Sequence, residues 1–482
     1  MKVRLVALFL AGFFFISLNL LTAPSSEPPQ TTLNNLTPLK QDYRQLKGVI
    51  HLQTPVSGGT RTINDYIQLA RQSQIDVLVI TDHDTQKYEY SLWPLRWLTN
   101  YVVEEKSVFK FGVSRYLKQI ETAAKQNQDI VIIDGMESAP FYYWSGSPFQ
   151  NNLTLNNRGQ HLLVIGLKQA DAYQKLPVIS NGYSNYDQYH GDQSTRPYQD
   201  LIDYVTARNG LVFWAHPEAK ESMKMNGVNI NTIPYPTVLR QTFNYTGFAI
   251  FEEGYQKVGQ IGGVWDEVLK EYCQGKRKSP VWAMGELDDY GKKILNSVLT
   301  VFLVNPAKLV PPQAGDGVKE KNYAATAVRW TPKSHTDSFG ESRPNRDASV
   351  LEALKTGRMY VVTNYKNKAL MQLEDFSVSA SSADKNEIFA ISGEEIGCPG
   401  KPLLHIKISH RNVSGQPEKY PITVKIIRNG RLIKEFNETT PFETDFQDNY
   451  FEEKEKFYYR LDVTDELNNK LITNPIFVRF VR

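Results

Sequence analysis

Six side chains that can bind a metal ion stand at the ends of short apolar runs in this sequence. They are His51, His83, Glu137, His161, His216 and Asp288. Such runs, rich in Val, Ile and Leu, are typical of buried strands. Ligands at the ends of neighbouring strands meet at one rim of a β/α barrel, where catalytic groups gather. The set therefore predicts a site for a divalent metal ion bound by imidazole and carboxylate groups.

The composition of the chain is that of an ordinary globular protein, with 482 residues and a formal net charge of +3. A charge this close to neutral gives no indication of nucleic-acid binding. The two cysteines, Cys273 and Cys398, are too few for a disulfide scaffold. Four of the eight histidines belong to the strand-end pattern, which favours a shared role for these four.

The amino-terminal segment has the character of an export signal. Lys2 and Arg4 precede an apolar stretch from Leu5 to Leu21, which predicts a signal peptide over residues 1–23. The same stretch is about the minimum length for a bilayer span, so an uncleaved anchor is the alternative. Residues 24–45 are polar and rich in proline, which predicts a linker. We therefore expect a periplasmic or extracellular protein, with membrane-surface or envelope association as a further expectation.

Two regions with different patterns follow the linker. Strand-like and helix-like segments alternate over residues 46–366, which predicts an α/β fold. The clearest helix covers residues 62–74, with Thr62 and Asp65 as a capping box. Over residues 367–482 apolar and polar residues alternate, and Asn429 with Gly430 between two such runs predicts a hairpin. This second region is predicted to be a β-sandwich that supplies no catalytic group.

Five motifs in the first region occur in a fixed order. They are GVIH at 48–51, VITDHD at 79–84, DGME at 134–137, WAHP at 214–217 and GELD at 285–288. This series resembles the ordered motifs of the PHP (polymerase and histidinol phosphatase) superfamily. The stretch VLEALKTGRMYV at 350–361 resembles the closing helix and strand of its CehA/McbA-like branch. The resemblance covers roughly residues 46–365 and implies a distorted seven-stranded β/α barrel that hydrolyses phosphoesters with up to three divalent metal ions.

The resemblance assigns the metal ligands residue by residue. The positions it implies are His51, Gln53, Glu137, His161, His216 and Asp288. All ligands of one ion are present, namely Glu137, His161 and His216. The second ion would have Gln53 where the family has His, and an amide oxygen is a weak ligand. We therefore expect one firmly bound and one weakly bound divalent ion, manganese, zinc or iron, bridged by Glu137.

The third metal position of the family is degenerate in this chain. Its three ligand positions read Gly58, His83 and Tyr290, so only His83 can bind a metal ion. We expect His83 not to be a fully occupied ligand but to act either as a hydrogen-bond donor behind the ligands or as a general acid to the leaving oxygen. Asp288 is the second predicted catalytic residue, because it would complete the site of the activated water.

The substrate is predicted to be a small anionic molecule. Lys220 and Arg358 are candidates to contact its charge. Trp144 is a candidate to stack on a base or a sugar, and the hydroxyl of Tyr290 could hydrogen-bond the substrate.

The residues and the resemblance together predict an exported metal-dependent hydrolase, with phosphoesters as the substrate class. The alternative is a degenerate PHP domain that binds a ligand or an envelope component without turnover, because three family ligands are replaced. A third interpretation, an amidohydrolase-type barrel, is weaker. That pattern needs an intact His-x-His motif and usually a bridging lysine, whereas Glu137 stands in the bridging position here.

Overall fold

The computed structural model describes residues 43–92, 94–305, 343–366, 368–381, 387–450 and 456–480. The predicted signal or anchor and all but the last three residues of the predicted linker lie outside the described residues. Within the described ranges, no helix is both long and apolar enough to cross a membrane.

The first region contains helices and short strands in alternation. The helices are α1 (Ile63–Gln72), α2 (Val108–Phe111), α3 (Val113–Gln126), α4 (Ala170–Gln174), α5 (Arg196–Thr206), α6 (Val238–Gln241), α7 (Val264–Cys273) and α8 (Arg343–Thr356). The strands are β1 (Arg44–Leu52), β2 (Val77–Ile80), β3 (Lys87–Tyr90), β4 (Tyr101–Glu104), β5 (Val131–Ser138), β6 (Tyr143–Ser145), β7 (Thr154–Asn156), β8 (Leu162–Ile165), β9 (Leu211–Trp214), β10 (Glu221–Met225), β11 (Val228–Thr232), β12 (Gly247–Phe251), β13 (Trp282–Gly285), β14 (Val298–Val304) and β15 (Met359–Thr363). Helix α1 begins with the predicted capping box of Thr62 and Asp65.

The second region consists of strands. They are β16 (Ala369–Ser381), β17 (Glu387–Ile391), β18 (Glu395–Cys398), β19 (Leu403–Asn412), β20 (Pro417–Glu418), β21 (Pro421–Arg428), β22 (Arg431–Thr439), β23 (Phe442–Gln447), β24 (Phe457–Asp465), β25 (Lys470–Thr473) and β26 (Ile476–Phe480). Asn429 and Gly430 join β21 to β22 with φ angles of 49° and 73°, which is the left-handed backbone that a tight hairpin turn requires. The hairpin prediction is confirmed.

The strands that carry the motifs are neighbours in one sheet, in the order β13-β12-β9-β8-β5-β2-β1. Neighbouring pairs are parallel except that β8 runs antiparallel to both β5 and β9. This exception has a clear consequence, since His161 precedes its strand whereas the other candidate ligands lie near or after the ends of theirs. Reversing β8 brings the start of that strand, and with it His161, to the rim where the other strands end.

The sheet does not form the closed seven-stranded barrel that we predicted, and the described residues show none. The outer edge of β1 pairs with β14 in antiparallel register. The segment after β13 nevertheless reaches β1, because Leu287 N donates to Ile50 O at 2.8 Å and Asp289 N donates to His51 O at 3.1 Å. A single isolated bridge joins Leu52 to Asp289. The architecture is therefore a mixed α/β sheet in which the segment after β13 approaches β1 beside the motif residues.

The same sheet continues into the second region, in the order β14-β15-β25-β24-β21-β22. A second sheet has the order β17-β16-β19-β20, with β23 also paired to β19. Buried apolar side chains of both regions form one connected core. The boundary at residues 366 and 367 therefore stays a prediction, and it falls beside a strand, β15, that hydrogen-bonds across it to β25.

Candidate metal centre

Glu137 is the centre of the site, at the end of β5, where its side chain is 1% exposed. Its Oε1 atom lies 2.5 Å from His161 Nδ1 and 3.3 Å from His216 Nε2. Its Oε2 atom lies 2.9 Å from His51 Nε2 and 3.2 Å from His83 Nδ1. The two oxygens of one carboxylate thus face imidazole nitrogens from four different strand ends.

Two groups of three residues place potential ligand atoms within 4.8 Å of one another. One consists of His83, Glu137 and His161, and the other of His51, Glu137 and Asp288. His216 also lies close to the first group, with its Nε2 atom 3.4 Å from His161 Nδ1. Both groups share Glu137, which is the bridging position that the sequence assigns to it.

Groups behind the ligands fix which nitrogen of each imidazole faces inward. His51 Nδ1 lies 2.9 Å from Glu286 Oε2, and His161 Nε2 lies 2.8 Å from the carbonyl oxygen of Arg158. Since both partners are acceptors, these outer nitrogens carry hydrogen. The inner nitrogens, His51 Nε2 and His161 Nδ1, then face Glu137 and are the atoms that would bind a metal ion once they carry no hydrogen. Imidazole ligands of metal ions are oriented in this way by acceptors behind them.

Tyr235 and Glu286 fix His216 in a comparable way. Tyr235 donates its hydroxyl hydrogen to Ala215 O at 2.7 Å, which leaves its oxygen to accept from His216 Nδ1 at 3.2 Å. Glu286 Oε1 accepts from the backbone nitrogen of His216 at 2.7 Å. Sequence analysis missed both residues. Glu286 lies inside the GELD motif, and its carboxylate beside the ligand Asp288 was the sequence feature that could have indicated its role.

Two buried polar atoms of the cluster have no hydrogen-bond partner among the described residues, namely His83 Nδ1 and Asp288 Oδ1. Unpartnered buried polar atoms are rare in folded proteins and need a compensating group. Together with the inward-facing nitrogens of His51 and His161 and the oxygens of Glu137, they form a set of ligand atoms that fits a divalent cation.

Three of the candidate ligands have a strained backbone. The φ angle is 73° at His51, 27° at His216 and 46° at Asp288. A side chain other than glycine in this left-handed region costs about 1–3 kcal/mol, and such strain concentrates at functional sites. The strand ends are therefore shaped at some cost to stability so that these side chains meet.

Gln53 takes part in the cluster, but in a different orientation from a ligand. Its amide nitrogen donates to Glu137 Oε2 at 2.5 Å, while its oxygen contacts the hydroxyl of Ser57. Ser57 in turn donates to Asp82 at 2.5 Å. An amide nitrogen has no lone pair for a metal ion. In this orientation Gln53 holds Glu137 in place, and its role as a metal ligand stays a prediction.

The charges of the cluster are strongly coupled. Burial opposes the ionised form of Glu137, but the surrounding imidazoles of His83, His51 and His161 hold its pKa well below the usual range. Burial also opposes the charged form of His216, yet Glu137 and Glu286 raise the pKa of His216 to about 9. For His83 burial prevails and lowers its pKa to about 4. Burial opposes the charged form of His51 as well, yet Glu137 and Asp288 raise the pKa of His51 well above its usual range. In the metal-free protein at neutral pH, His51 and His216 are therefore protonated and His83 is neutral.

Metal binding is expected to release protons. An imidazole must be neutral to bind a metal ion. A cation that His216 binds at pH 7 must therefore displace the proton of His216, whose pKa is about 9. The apparent affinity should thus fall as pH decreases from 9, by about tenfold per unit for each proton displaced. Calorimetric titration with Mn²⁺ at pH 7, in two buffers of different ionisation enthalpy, measures the protons released. Equal heats in both buffers would contradict the expectation.

The structure brings one of the predicted substrate-binding residues to the cluster. The hydroxyl of Tyr290 lies 2.8 Å from His83 Nε2. Trp144 donates to Glu89 O at 2.8 Å and packs against other aromatic rings. Lys220 is exposed, after the end of the strand that leads to His216.

Arg358 is not brought to the cluster. It precedes β15, where Met359 pairs with Phe302, and Phe302 pairs with Leu46. Leu46 stands five residues before His51 along β1, a separation of about 17 Å. Arg358 thus lies toward the opposite end of the strands, where it is 3.7 Å from Glu352, and the geometry gives it no contact with a substrate at the cluster.

Comparison with known proteins gives distant structural similarities. A two-domain protein from Bacteroides vulgatus, described as containing a predicted PHP-like metal-dependent phosphoesterase, is 10% identical with a TM-score of 0.34, and the match covers 89% of this chain and 94% of that one. A protein from Bifidobacterium adolescentis, described as a metal-dependent phosphoesterase by assignment only, is 12% identical with a TM-score of 0.26. This match covers 51% of this chain and 88% of that one. No protein-family model and no curated protein matches the chain. TM-scores this low do not establish a shared fold, so the account of the site rests on its geometry.

Proposed function

We propose that this protein is a metal-dependent hydrolase of the PHP type in which Glu137 bridges two divalent ions. The observation that carries the proposal is the convergence of imidazole nitrogens on the two oxygens of one buried carboxylate. Glu137 Oε1 faces His161 Nδ1 at 2.5 Å, and Oε2 faces His51 Nε2 at 2.9 Å. In the metal-free protein a proton on His51 occupies such a contact, and a divalent cation would take the place of that proton.

One ion would be held by Glu137, His161 and His216, and the other by His51, Glu137 and Asp288. The position of His83 beside Glu137 and His161 favours it as an additional ligand of the first ion, contrary to the role we predicted for it. Divalent ions in such a site acidify a water molecule and polarise a phosphoryl oxygen, which is the chemistry of phosphoester hydrolysis. Manganese, zinc and iron all accept this set of nitrogen and oxygen donors.

Asp288 and Tyr290 form the open side of the cluster. The side chain of Asp288 is 33% exposed and Tyr290 is 36% exposed, whereas Glu137 and His51 are almost wholly buried. A substrate would therefore approach from this side. Burial and the nearby Glu137 raise the pKa of Tyr290, so its hydroxyl keeps its proton at neutral pH. Since neutral His83 can donate from Nε2 to the Tyr290 oxygen, the Tyr290 hydroxyl is available to hydrogen-bond the leaving oxygen of a substrate.

The experiment is a hydrolysis panel on the full chain supplied with Mn²⁺, Zn²⁺ or Fe²⁺. Phosphomonoesters, phosphodiesters and carboxylic esters with the same nitrophenyl leaving group separate the substrate classes. Asp288→Asn removes an exposed ligand, and Asp171→Asn is the matched control, because Asp171 is a surface residue paired with Lys175. We expect metal-dependent cleavage of a phosphoester that Asp288→Asn removes and Asp171→Asn retains.

The competing interpretation, a degenerate domain that binds without turnover, gives a different result. It predicts that the metal binds but that no ester in the panel is cleaved above the metal-only background. Activity that persists fully in Asp288→Asn, or in the presence of excess chelator, would overturn the metal-dependent mechanism itself.

A further inference from the structure

A cavity with a volume of about 850 Å³ lies beside the segment that follows β1. Its walls come from the segment after β1 at Thr54–Val56, the start of α1, and the helices α2 and α3. None of the candidate metal ligands lines it. Cavities of roughly 300–1,000 Å³ are typical of sites for small organic molecules.

The charged side chains that line this cavity all have the same sign. They are Lys106, Lys110, Arg115 and Lys118, and the lining contains no aspartate or glutamate. No ion pair joins any of the four to a carboxylate among the described residues. Lys110 donates only to the carbonyl oxygen of Glu104, at 3.0 Å, and Arg115 stacks on the ring of Phe111 at 4.4 Å.

Two acidic residues near the cavity have partners outside it. Asp65 accepts from the backbone and hydroxyl of Thr62 in the cap of α1, and Glu121 pairs with Lys125 on α3. Four cations around one cavity that no carboxylate lines produce a positive potential there, which a bound anion relieves. The charge pattern thus specifies the sign of the ligand.

Seven of the other lining residues are polar, but apolar atoms make up most of the surface of the cavity. Val56, Ile63, Phe111 and Ala123 contribute apolar surface, and all four are at least partly buried. A purely inorganic anion would leave this apolar surface in contact with water. A ligand with one anionic end and one apolar end would satisfy both parts of the wall.

We propose that this cavity, formed by the segment after β1 and helices α1, α2 and α3, binds a small organic anion that carries an apolar group. The site is independent of the hydrolase function, because it contains no candidate metal ligand and does not require a metal ion.

The test uses the full chain treated with EDTA, so that a metal centre cannot compete for the anion. Hexyl phosphate is the anionic probe and hexanol the neutral one, and binding is measured by calorimetry and by ligand-observed NMR. Lys110→Gln with Arg115→Gln removes two cations from the cavity. Lys125→Gln is the matched control, because it lies on the same helix α3 but does not line the cavity.

We expect saturable binding of hexyl phosphate that weakens by about tenfold in the double variant, as the loss of charge-assisted contacts typically does. Lys125→Gln should bind like the unaltered protein, and hexanol should bind much more weakly than hexyl phosphate. Lys106→Gln is a second variant with the same expected direction, should the double variant fold poorly. Absence of saturable binding, equal binding by the variants, or equal binding of hexanol would each overturn the proposal.

Discussion

Glu137→Gln is expected to remove the bound metal and to lower hydrolysis by roughly a thousandfold or more. The substitution keeps the size of the side chain but replaces the bridging carboxylate with a neutral amide. Both carboxylate oxygens face imidazoles, His161 and His216 on one side and His51 and His83 on the other. An amide offers a single oxygen and cannot bridge two ions as an anion does. Elemental analysis and the rate on the best phosphoester measure the two effects.

The matched control is Glu121→Gln, which makes the same chemical change at a surface carboxylate that pairs with Lys125. It should keep both metal and activity. Because Glu137 is buried, the melting temperature of the metal-free variant must be measured beside that of the metal-free parent protein. A folded Glu137→Gln protein with full metal content and full activity would show that Glu137 is not the bridge.

Asp266→Ala is expected to destabilise the protein by about 3–5 kcal/mol, the usual cost of leaving a buried charge without its partner. Asp266 on α7 pairs with Arg460 on β24, and both side chains are 0% exposed. Arg460 Nε donates to Asp266 Oδ1 at 2.8 Å, and the hydroxyl of Tyr458 donates to the same oxygen at 2.7 Å. The pair therefore joins the two regions of the chain through their common core. Urea unfolding of the metal-free protein measures the free energy of unfolding.

A double variant distinguishes the loss of the ion pair from the loss of side-chain packing. Asp266→Leu with Arg460→Met replaces both charges with apolar side chains, and it should recover much of the stability lost in Asp266→Ala, because no charge is left unpaired. If Asp266→Ala changed the free energy of unfolding by less than about 1 kcal/mol, the range of an exposed pair, the pair would not join the regions as described.

The local features of the chain could be predicted because they depend on neighbouring residues. The capping box of Thr62 and Asp65 and the turn of Asn429 and Gly430 are set by short-range backbone chemistry. The strand ends that carry the motif residues could also be located, because each follows or precedes a run of apolar residues. Because His161 precedes its strand whereas the other ligands follow theirs, the sequence also indicated that β8 runs antiparallel to its neighbours. We did not draw that inference.

Features that depend on distant parts of the chain could not be predicted in the same way. The open edge of β1 is taken by β14, and this pairing depends on segments more than two hundred residues apart. Gln53 was predicted as a ligand from its place in a motif, but its orientation depends on Glu137, which lies 84 residues further along the chain. Arg358 was chosen for its charge alone, and strand register places it away from the cluster.

The central claim is that the side chains around Glu137 bind a divalent metal ion. Crystals of the full chain grown with Mn²⁺, with diffraction data recorded on both sides of the manganese absorption edge, test it most directly. The account predicts an anomalous peak in contact with Glu137 and at least two of the surrounding histidines, and the loss of that peak in Glu137→Gln. A fully ordered cluster with no peak, or manganese bound only by other residues, would contradict it.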